Sequence, residues 1–262
     1  WMHLPLVIVS VATFFPFFAM VALSLQMGHA LELPGSLLPM HPNLDAYRQA
    51  VSSSQLPRWL MNTTLYALIS VVLVLLFASM AAYAFAKKRF FGRNVLFWLL
   101  VSMLMVPYHL ILIPQFILIM RLGLVDTLAG LILPTLANTQ ALFLMRQFIM
   151  GIPDELIEAA RVDGAGELRL FFQIVLPQCK PILATLGVFI FLWHWNDFLW
   201  PLVMTRSESN YVLTLGLFSL QAQEVSLAIT MATAVVTLAP ILVVYLSLQR
   251  YFVGGAMTSG LK

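Results

Sequence analysis

The sequence predicts an all-α membrane protein of six transmembrane helices, with a pair of short cytoplasmic helices between the fourth and the fifth. Two observations support this fold class. The mean hydropathy of the 262 residues is +0.93 and only 10% of them are charged, so a soluble fold would expose enough apolar surface to aggregate. Apolar runs long enough to cross the roughly 30 Å core of a bilayer also alternate with polar segments along the chain.

The apolar runs are bounded by charged or proline-containing segments. A cationic loop that begins at Lys87 ends the second run. In the third run Pro107 and Pro114 lie seven residues apart, so we expect them on one face of a single helix. All six helices form one integral domain, residues 1–262. The expected spans are residues 4–25, 60–86, 95–118, 128–149, 182–204 and 227–248.

The distribution of cations predicts the orientation, because lysine and arginine collect in cytoplasmic loops. If the polar segment after the fourth span is cytoplasmic, most of the 14 cations lie inside and both termini are cytoplasmic. The inside set is Lys87, Lys88, Arg89, Arg93, Arg146, Arg161, Arg169, Lys180, Arg250 and Lys262, and the outside set is Arg48, Arg58, Arg121 and Arg206.

The most polar long segment, residues 153–177, lies between two apolar runs and is therefore expected on the water side of the membrane. Pro153 suits the first turn of a helix, and Asp154 and Glu155 complement the positive end of its dipole. Gly164 then permits the left-handed conformation that ends many helices. The segment is predicted to be two helices with a hinge at Gly164.

The second helix of this pair is predicted to carry an apolar stripe and to stop at Pro177. An amphipathic pair that lies on lipid without a protein partner is the alternative interpretation. The five acidic residues from Asp154 to Glu167 argue against anionic lipid as its main contact. The stripe, spaced i, i+3, i+4, i+7, is Leu168, Phe171, Phe172 and Val175.

Aromatic and polar side chains are concentrated near the end of the fifth predicted span. If the helix continues through them, four of them share one face at the spacing i, i+3, i+4, i+7. Such a face could bind a neutral sugar, whose hydroxyls need donors and acceptors and whose apolar side stacks on a ring. The alternative is an interfacial aromatic belt with packing contacts between helices. The four residues are Trp193, Asn196, Asp197 and Trp200.

Other polar groups at membrane depth allow two interpretations each. Asn138, in the fourth span, lines the substrate pathway or bridges two helices. His194 and Asp197 lie three residues apart, so they could pass a proton, although packing contacts explain such a pair as well.

Several common activities lack their motifs. No glycine is followed by Lys and Ser or Thr, so the chain has no phosphate-binding P-loop, and it has no H-E-x-x-H pair. The single cysteine, Cys179, excludes an intrachain disulfide and has no zinc-type spacing around it. We therefore predict no catalytic residue, no metal site and no nucleic-acid partner. If ATP drives the protein, another chain must bind it.

The letters of residues 158–177 follow the pattern E-A-A, three residues, glycine, nine residues, I-x-L-P. This pattern resembles the cytoplasmic coupling loop in the membrane subunits of binding-protein-dependent ABC importers. Three further runs, residues 105–134, 195–202 and 249–262, are similar to the carbohydrate-uptake permeases related to the maltose and glycerol-phosphate importers. Within that family the chain most resembles the second of two different permease subunits.

The resemblance implies a heteromeric importer in a bacterial or archaeal cell membrane. Its other parts would be a second permease subunit, two ATPase subunits that bind the ATP and magnesium, and an extracytoplasmic solute-binding protein, with membrane lipid around the spans. No cofactor is expected on this chain. The tail, residues 249–262, would reach the ATPase dimer interface, although Gly254 stands where many relatives carry a basic residue.

By the same resemblance, the coupling loop seats in a cleft of the ATPase and carries its movement into the membrane helices. The implied coupling residues are Glu158, Ala159, Ala160, Asp163, Gly164, Leu176 and Pro177.

The expected cargo is a neutral di- or oligosaccharide. A glycerol-phosphate-type solute is the alternative within the family, but an anion would require cations at depth, and Asp197 would oppose it. A proton-coupled secondary transporter that uses His194 and Asp197 is a further alternative, which would work without ATP.

Overall fold

The computed structural model describes residues 3–27, 38, 42–53, 55–223 and 225–259, and within these ranges all regular structure is helical. The predicted all-α class is confirmed. The side chains of the predicted tail, and residues 28–37 of the first polar loop, lie outside the described part. The helices are α1 His3–Ser24, α2 Asp45–Ser53, α3 Leu56–Lys87, α4 Arg93–Ser102, α5 Tyr108–Arg121, α6 Leu128–Ile132, α7 Thr139–Met150, α8 Asp154–Val162, α9 Glu167–Arg169, α10 Leu176–Gln178, α11 Lys180–Trp195, α12 Leu199–Met204, α13 Leu213–Ala222 and α14 Leu227–Ser259.

Three helices are long and apolar enough to cross a bilayer on their own: α1 from Leu4, α3, and the part of α14 from Leu227 to Val244. Three further pairs of helices pass the same test together but are bent, by 107° between α4 and α5, by 45° before α7 and by 78° before α11. The six-span count holds if each bent pair crosses once, and it stays a prediction.

The third predicted span, residues 95–118, is not a single straight helix. After α4 the chain makes a 3₁₀ turn, Met103–Met105, and then extends at Val106 (φ −83°, ψ 119°). The ring of Pro107 disfavours helical geometry at the residue before it, which explains this break. The expectation that Pro107 and Pro114 share one helical face is therefore wrong, because Pro107 precedes α5 and Pro114 lies inside it.

The chain divides into two compact units, residues 1–63 with 206–243, and residues 64–205 with 244–262. In the first unit the start of α3 holds the segment that leads into α13. Trp59 is fully buried and donates its indole N–H to the carbonyl of Glu208 at 2.8 Å. The backbone N–H of Leu213 donates to the hydroxyl of Thr63, also at 2.8 Å. The absent side chain of Gly216 leaves room for the Trp59 ring, which a Cβ would strike.

The core of the second unit lies directly beneath the polar segment that follows α7. Helices α3, α4, α7 and α11 contribute apolar side chains to it, and so does the inner face of the polar segment itself. The polar segment is thus packed against the membrane helices by burial of its own apolar residues. Its contributions to the core are Ile157, Leu170, Phe171 and Val175.

Candidate coupling site and membrane cavity

The hinge predicted at Gly164 is confirmed. Gly164 has φ +79°, in the left-handed region, and follows the last turn of α8. Its N–H donates to the carbonyl of Arg161 at 2.9 Å, and the N–H of Ala165 donates to the carbonyl of Ala160 at 3.0 Å. This pair of bonds is the Schellman arrangement that satisfies the carbonyls at a helix end. The angle between the two arms is therefore defined by hydrogen bonds.

The second arm runs without a break from Glu167 to Gln178, and its middle, Leu170–Val175, is a π-helical turn. The predicted apolar stripe is wrong at Leu168 and Phe172, which are 68% and 46% exposed. In π-helix geometry the hydrogen bonds run from i to i+5, so the buried face shifts relative to an α-helix. Leu170 and Val175, five residues apart, are both fully buried.

The end of this arm also differs by one residue from the prediction. Pro177 lies inside the last helical turn, and the arm ends at Gln178. Cys179, which is buried, separates the arm from α11.

Two lysines at the end of α3 hold both arms of the hinge. Lys87 donates to the carboxylate of Asp154 and to the carbonyl of Ile152, each at 2.6 Å, and its side chain is 7% exposed. Lys88 pairs with Glu167, whose carboxylate also accepts from the hydroxyl of Tyr83 at 3.2 Å. Asp154 begins the first arm and Glu167 begins the second, so both are fixed to the same helix end.

We expect these ion pairs to stabilise the hinge at neutral pH and to be lost in acid. The hydrogen bond from Lys88 lowers the pKa of Glu167, and the hydrogen bond from Lys87 lowers the pKa of Asp154. A carboxyl whose pKa is lowered by folding contributes stability above its unfolded pKa, and that contribution disappears as the pH falls through the lowered value. The difference in melting temperature between native protein and a Lys88→Gln variant should therefore be full at pH 7 and vanish in acid.

A Lys180→Gln variant is the control for this pH series, since Lys180 is exposed and has no ion pair among the described residues. Its melting temperature should parallel that of the native protein at every pH. A constant difference between native and Lys88→Gln protein from neutral to acid pH would contradict the role of the Glu167 carboxylate.

The predicted coupling residues lie mostly on the outer side of the hinge. Ala160 and Leu176 are half-buried and pack against the core. Large apolar side chains are exposed beside them, including Val162, at 88%, and Leu156. The hinge thus offers a mixed acidic and apolar face. The exposed coupling residues are Glu158, Ala159, Asp163, Gly164 and Pro177.

A cavity of about 520 Å³ lies in the second unit. Its walls come from α5, the turn before α7, α7, α11 and the start of α12. Of the five predicted pathway residues, Asn196 is not part of its lining, because the side-chain amide of Asn196 turns back to the carbonyl of Leu192 at 2.8 Å. The other four, Asn138, Trp193, Asp197 and Trp200, all line it.

The four aromatic and polar residues of the fifth span do not share one helical face, so that prediction is wrong. Helix α11 ends at Trp195, and α12 begins at Leu199. The carboxylate of Asp197 accepts backbone N–H groups of Phe198 and Trp200, which is how an acidic side chain caps a new helix. Pro201 then falls in the first turn of α12, where a missing N–H costs nothing.

The cavity-lining residues differ in how free they are to meet a solute. Trp193 is 68% exposed in the isolated chain, whereas Trp200 is buried and donates its indole N–H to the carbonyl of Leu131 at 3.3 Å. The Asn138 side chain caps α7 by accepting the N–H of Ala141 at 2.8 Å. Trp193 is the most exposed of the four predicted residues that line the cavity.

Two tyrosines complete the site, and sequence reasoning missed both. Tyr66 of α3 donates its hydroxyl to the Asp197 carboxylate at 2.9 Å, and Tyr108 lines the cavity beside Gln115. A tyrosine within an apolar helix carries no signal of its own in the sequence. Their contribution depends on which helices pack together.

The arrangement around His194 does not form a proton relay with Asp197. The His194 Nδ1–H donates to the carbonyl of Ile190 at 2.7 Å, and Nε2 has no hydrogen-bond partner among the described residues. The ring packs edge-on against Tyr66, with 4.9 Å between ring centres. Within the described ranges no cluster of three or more His, Cys, Asp or Glu side chains is placed to hold a metal ion.

Known proteins are similar to this chain in both sequence and fold. It is 40% identical over 205 residues to the arabinooligosaccharides transport system permease protein AraQ of Halalkalibacterium halodurans, covering 78% of this chain and 74% of AraQ. It is 37% identical over 267 residues to the sn-glycerol-3-phosphate transport system permease protein UgpE of Yersinia pestis, covering 98% and 95%. The crystal structure of a bacterial ABC transporter involved in the import of the acidic polysaccharide alginate superposes with a TM-score of 0.83 at 26% identity, covering 94% of this chain and 93% of that one.

The family model for inner membrane components of binding-protein-dependent transport systems matches residues 74–256. This range contains the hinge, both lysines at the end of α3 and the whole cavity. Because the model covers more than half of the chain, and AraQ and UgpE are permease subunits of the same type, the family is established. The chain belongs to the binding-protein-dependent transport system inner membrane components and is a permease subunit of an ABC importer, not an enzyme.

Proposed function

We propose that this permease moves a neutral di- or oligosaccharide across a bacterial or archaeal membrane, driven by ATP that separate ATPase subunits hydrolyse. The observation that supports the substrate class is the lining of the cavity. It combines the exposed indole of Trp193 with the carboxylate of Asp197 and the amide of Gln115, and no lysine or arginine is among its described lining residues. An aromatic ring for stacking, together with an amide and a carboxylate for hydrogen bonds to hydroxyl groups, suits a neutral sugar.

The relatives transport solutes of different charge. AraQ is named for arabinooligosaccharides, which supports a neutral cargo, whereas UgpE is named for an anionic glycerol phosphate. An anion in this cavity would face the Asp197 carboxylate without a cation to offset it. A proton-coupled mechanism is disfavoured because neither ring nitrogen of His194 is hydrogen-bonded to Asp197: Nδ1 is bonded to the carbonyl of Ile190, and Nε2 has no hydrogen-bond partner among the described residues.

We place the ATPase contact at the outer face of the hinge. The inner face is packed into the core, and ion pairs hold both arms, so a push on Glu158, Ala159 or Asp163 moves the hinge as a rigid body. Ala159 offers a close approach to a partner surface, and Glu158 offers a charge for pairing. The hinge side, with both termini, is cytoplasmic in this proposal.

The other partners follow from the family. A second permease subunit completes the pathway, and an extracytoplasmic binding protein delivers the sugar on the side opposite the hinge. The spans then present their exposed apolar side chains to lipid or to the second permease, as α1 does along its length.

The substrate proposal is tested by a Trp193→Ala variant in the assembled importer. Loss of one stacking contact, worth about 1 kcal/mol, should raise the KM for a neutral oligosaccharide about fivefold in vesicles loaded with ATP. Ile113→Ala is the control, because Ile113 is equally exposed at 68% and lies on α5, yet does not line the cavity.

A KM that rises equally in both variants would contradict the assignment of the cavity. A panel of radiolabelled solutes distinguishes the substrate classes. Uptake of glycerol phosphate or an acidic oligosaccharide, with no uptake of neutral sugars, would contradict the neutral cargo while leaving the permease assignment intact.

A further inference from the structure

The cations around the loop between α3 and α4 fall into two pairs with different surroundings. Lys87 and Lys88 point to the hinge and are paired with carboxylates there. The next two cations, Arg89 and Arg93, form no ion pair among the described residues. The charge of Arg89 makes only the smallest contribution to the lowered pKa of Asp154, whose carboxylate is already bonded to Lys87. Arg93 donates to the carbonyl of Lys88 at 2.9 Å and to Oδ1 of Asn94 at 3.4 Å, and both of these acceptors are uncharged.

The surroundings make this charge unfavourable. Arg93 is the first residue of α4, at the positive end of the helix dipole, where a cation is destabilising. Arg146 lies near enough for the two guanidinium groups to repel each other. Arg146 itself is held over the ring of Phe97 at 4.0 Å. An anion bound beside Arg93 would offset all of these repulsions.

The two arginines border a hollow with room for such an anion. Its volume is about 360 Å³, and we call it the arginine hollow. The side-chain amide of Asn94 adds a further hydrogen-bond donor, and Gly92 (φ +74°) keeps one wall free of a side chain. The lining residues are Arg89, Phe90, Gly92, Arg93, Asn94 and Val95.

An apolar stripe leads from the arginine hollow along α4. Val95, which forms part of the hollow, is 73% exposed, and Trp98 and Leu99 continue the same face one turn later at 64% and 53%. Phe91 is fully exposed at the tip of the loop. A cationic hollow that continues into an exposed apolar stripe matches a phospholipid, with its phosphate in the hollow and its acyl chains along the stripe.

We propose that the arginine hollow binds the headgroup of an anionic phospholipid. An acidic protein surface would pair with the arginines but would leave the stripe of α4 without a contact, so lipid fits both features. In the orientation proposed above, these cations lie on the cytoplasmic side, where anionic headgroups give the leaflet a negative surface potential. This proposal rests on the charge and shape of the loop and is independent of the sugar specificity of the cavity.

Native mass spectrometry of the assembled importer, with phosphatidylglycerol and phosphatidylcholine supplied in equal amounts, tests the site. The native importer should retain phosphatidylglycerol preferentially. Each basic residue near a membrane surface contributes about 1 kcal/mol to anionic lipid binding, so Arg89→Gln should reduce the preference about fivefold. Arg89→Gln combined with Arg93→Gln should reduce it further. Arg121→Gln, an exposed cation at the end of α5, should leave it unchanged.

Two further variants and one competitor complete the experiment. Phe91→Ser with Trp98→Ser should weaken retention of both lipids, since the apolar stripe holds acyl chains. Equal retention of the two lipids by the native importer, or an unchanged preference in Arg89→Gln, would overturn the proposal. Displacement of phosphatidylglycerol by inorganic phosphate at equal concentration would also overturn it, because the hollow would then be a phosphate site that does not need the acyl chains.

Discussion

Replacement of Gly164 by valine is expected to reduce ATP-dependent uptake at least tenfold while the protein still inserts into the membrane. Gly164 has φ +79°, and a left-handed conformation costs an ordinary L-residue about 1–2 kcal/mol, more for a β-branched side chain. The chain would relieve this strain by changing the angle between α8 and the second arm. Uptake in vesicles and ATPase activity of the same importer, measured side by side, should show hydrolysis without transport.

The matched control is Gly166→Val. Gly166 lies in the same hinge and has equally open space around it, but its φ is −71° in extended backbone that valine adopts readily. Its uptake should stay close to native. Full, ATP-dependent uptake by Gly164→Val would contradict the coupling role, and equal losses in both variants would show that any added bulk in the hinge interferes.

Trp59→Ala is expected to cause the largest loss of stability, about 3–5 kcal/mol. The indole is fully buried, packs against the bare backbone of Gly216 and donates a hydrogen bond to the carbonyl of Glu208. Its removal leaves a cavity and an unsatisfied carbonyl together. The melting temperature of the purified protein in detergent should fall by roughly 10 °C.

Met61→Ala serves as the comparison, because Met61 lies two residues further along α3 and is 55% exposed. Its melting temperature should change by no more than a degree or two. Trp59→Phe separates the two contributions, since it keeps most of the packing and removes only the N–H donor. If Trp59→Ala melted at the native temperature, the α3 start would not be what holds the segment before α13.

The features that were predicted correctly are those that local chemistry determines. The hinge at Gly164 follows from one residue that tolerates positive φ, and α8 begins with the predicted acidic first turn at Asp154, although Pro153 stands at the N-cap and not in that turn. The all-α class follows from hydropathy alone. Each of these depends on residues within a few positions of one another.

The features that were predicted incorrectly depend on helix phase or on distant partners. The shift of the buried face in the second arm arises from a π-helical turn, which an α-helical spacing rule does not anticipate. The break after Trp195 is stabilised by Asp197, whose carboxylate also accepts a bond from Tyr66, 131 residues earlier. The spacing pattern identified the right residues, but it placed them on one continuous helix.

The cavity illustrates the same limit. Four of its predicted residues were recognised because they are polar or aromatic groups in an apolar stretch. Tyr108, which lines the cavity, and Tyr66, which donates to the Asp197 carboxylate, were not recognised, since only the packing of α5 and α3 near α11 brings them there. The spacing of residues within one segment shows which side chains share a face of that segment. It does not show which other helices pack against that face.

The two ion pairs, the two arms of the hinge and the end of α3 together form a closed triangle. One ion pair joins Lys87 to the first arm at Asp154, and the other joins Lys88 to the second arm at Glu167. The two arms meet at Gly164. The angles of a closed triangle change only if one of its sides changes length. A force applied near Gly164 is therefore transmitted to the end of α3. The C-terminal turn of α3, a 32-residue helix, would therefore be the first membrane helix segment to receive a force applied at the hinge.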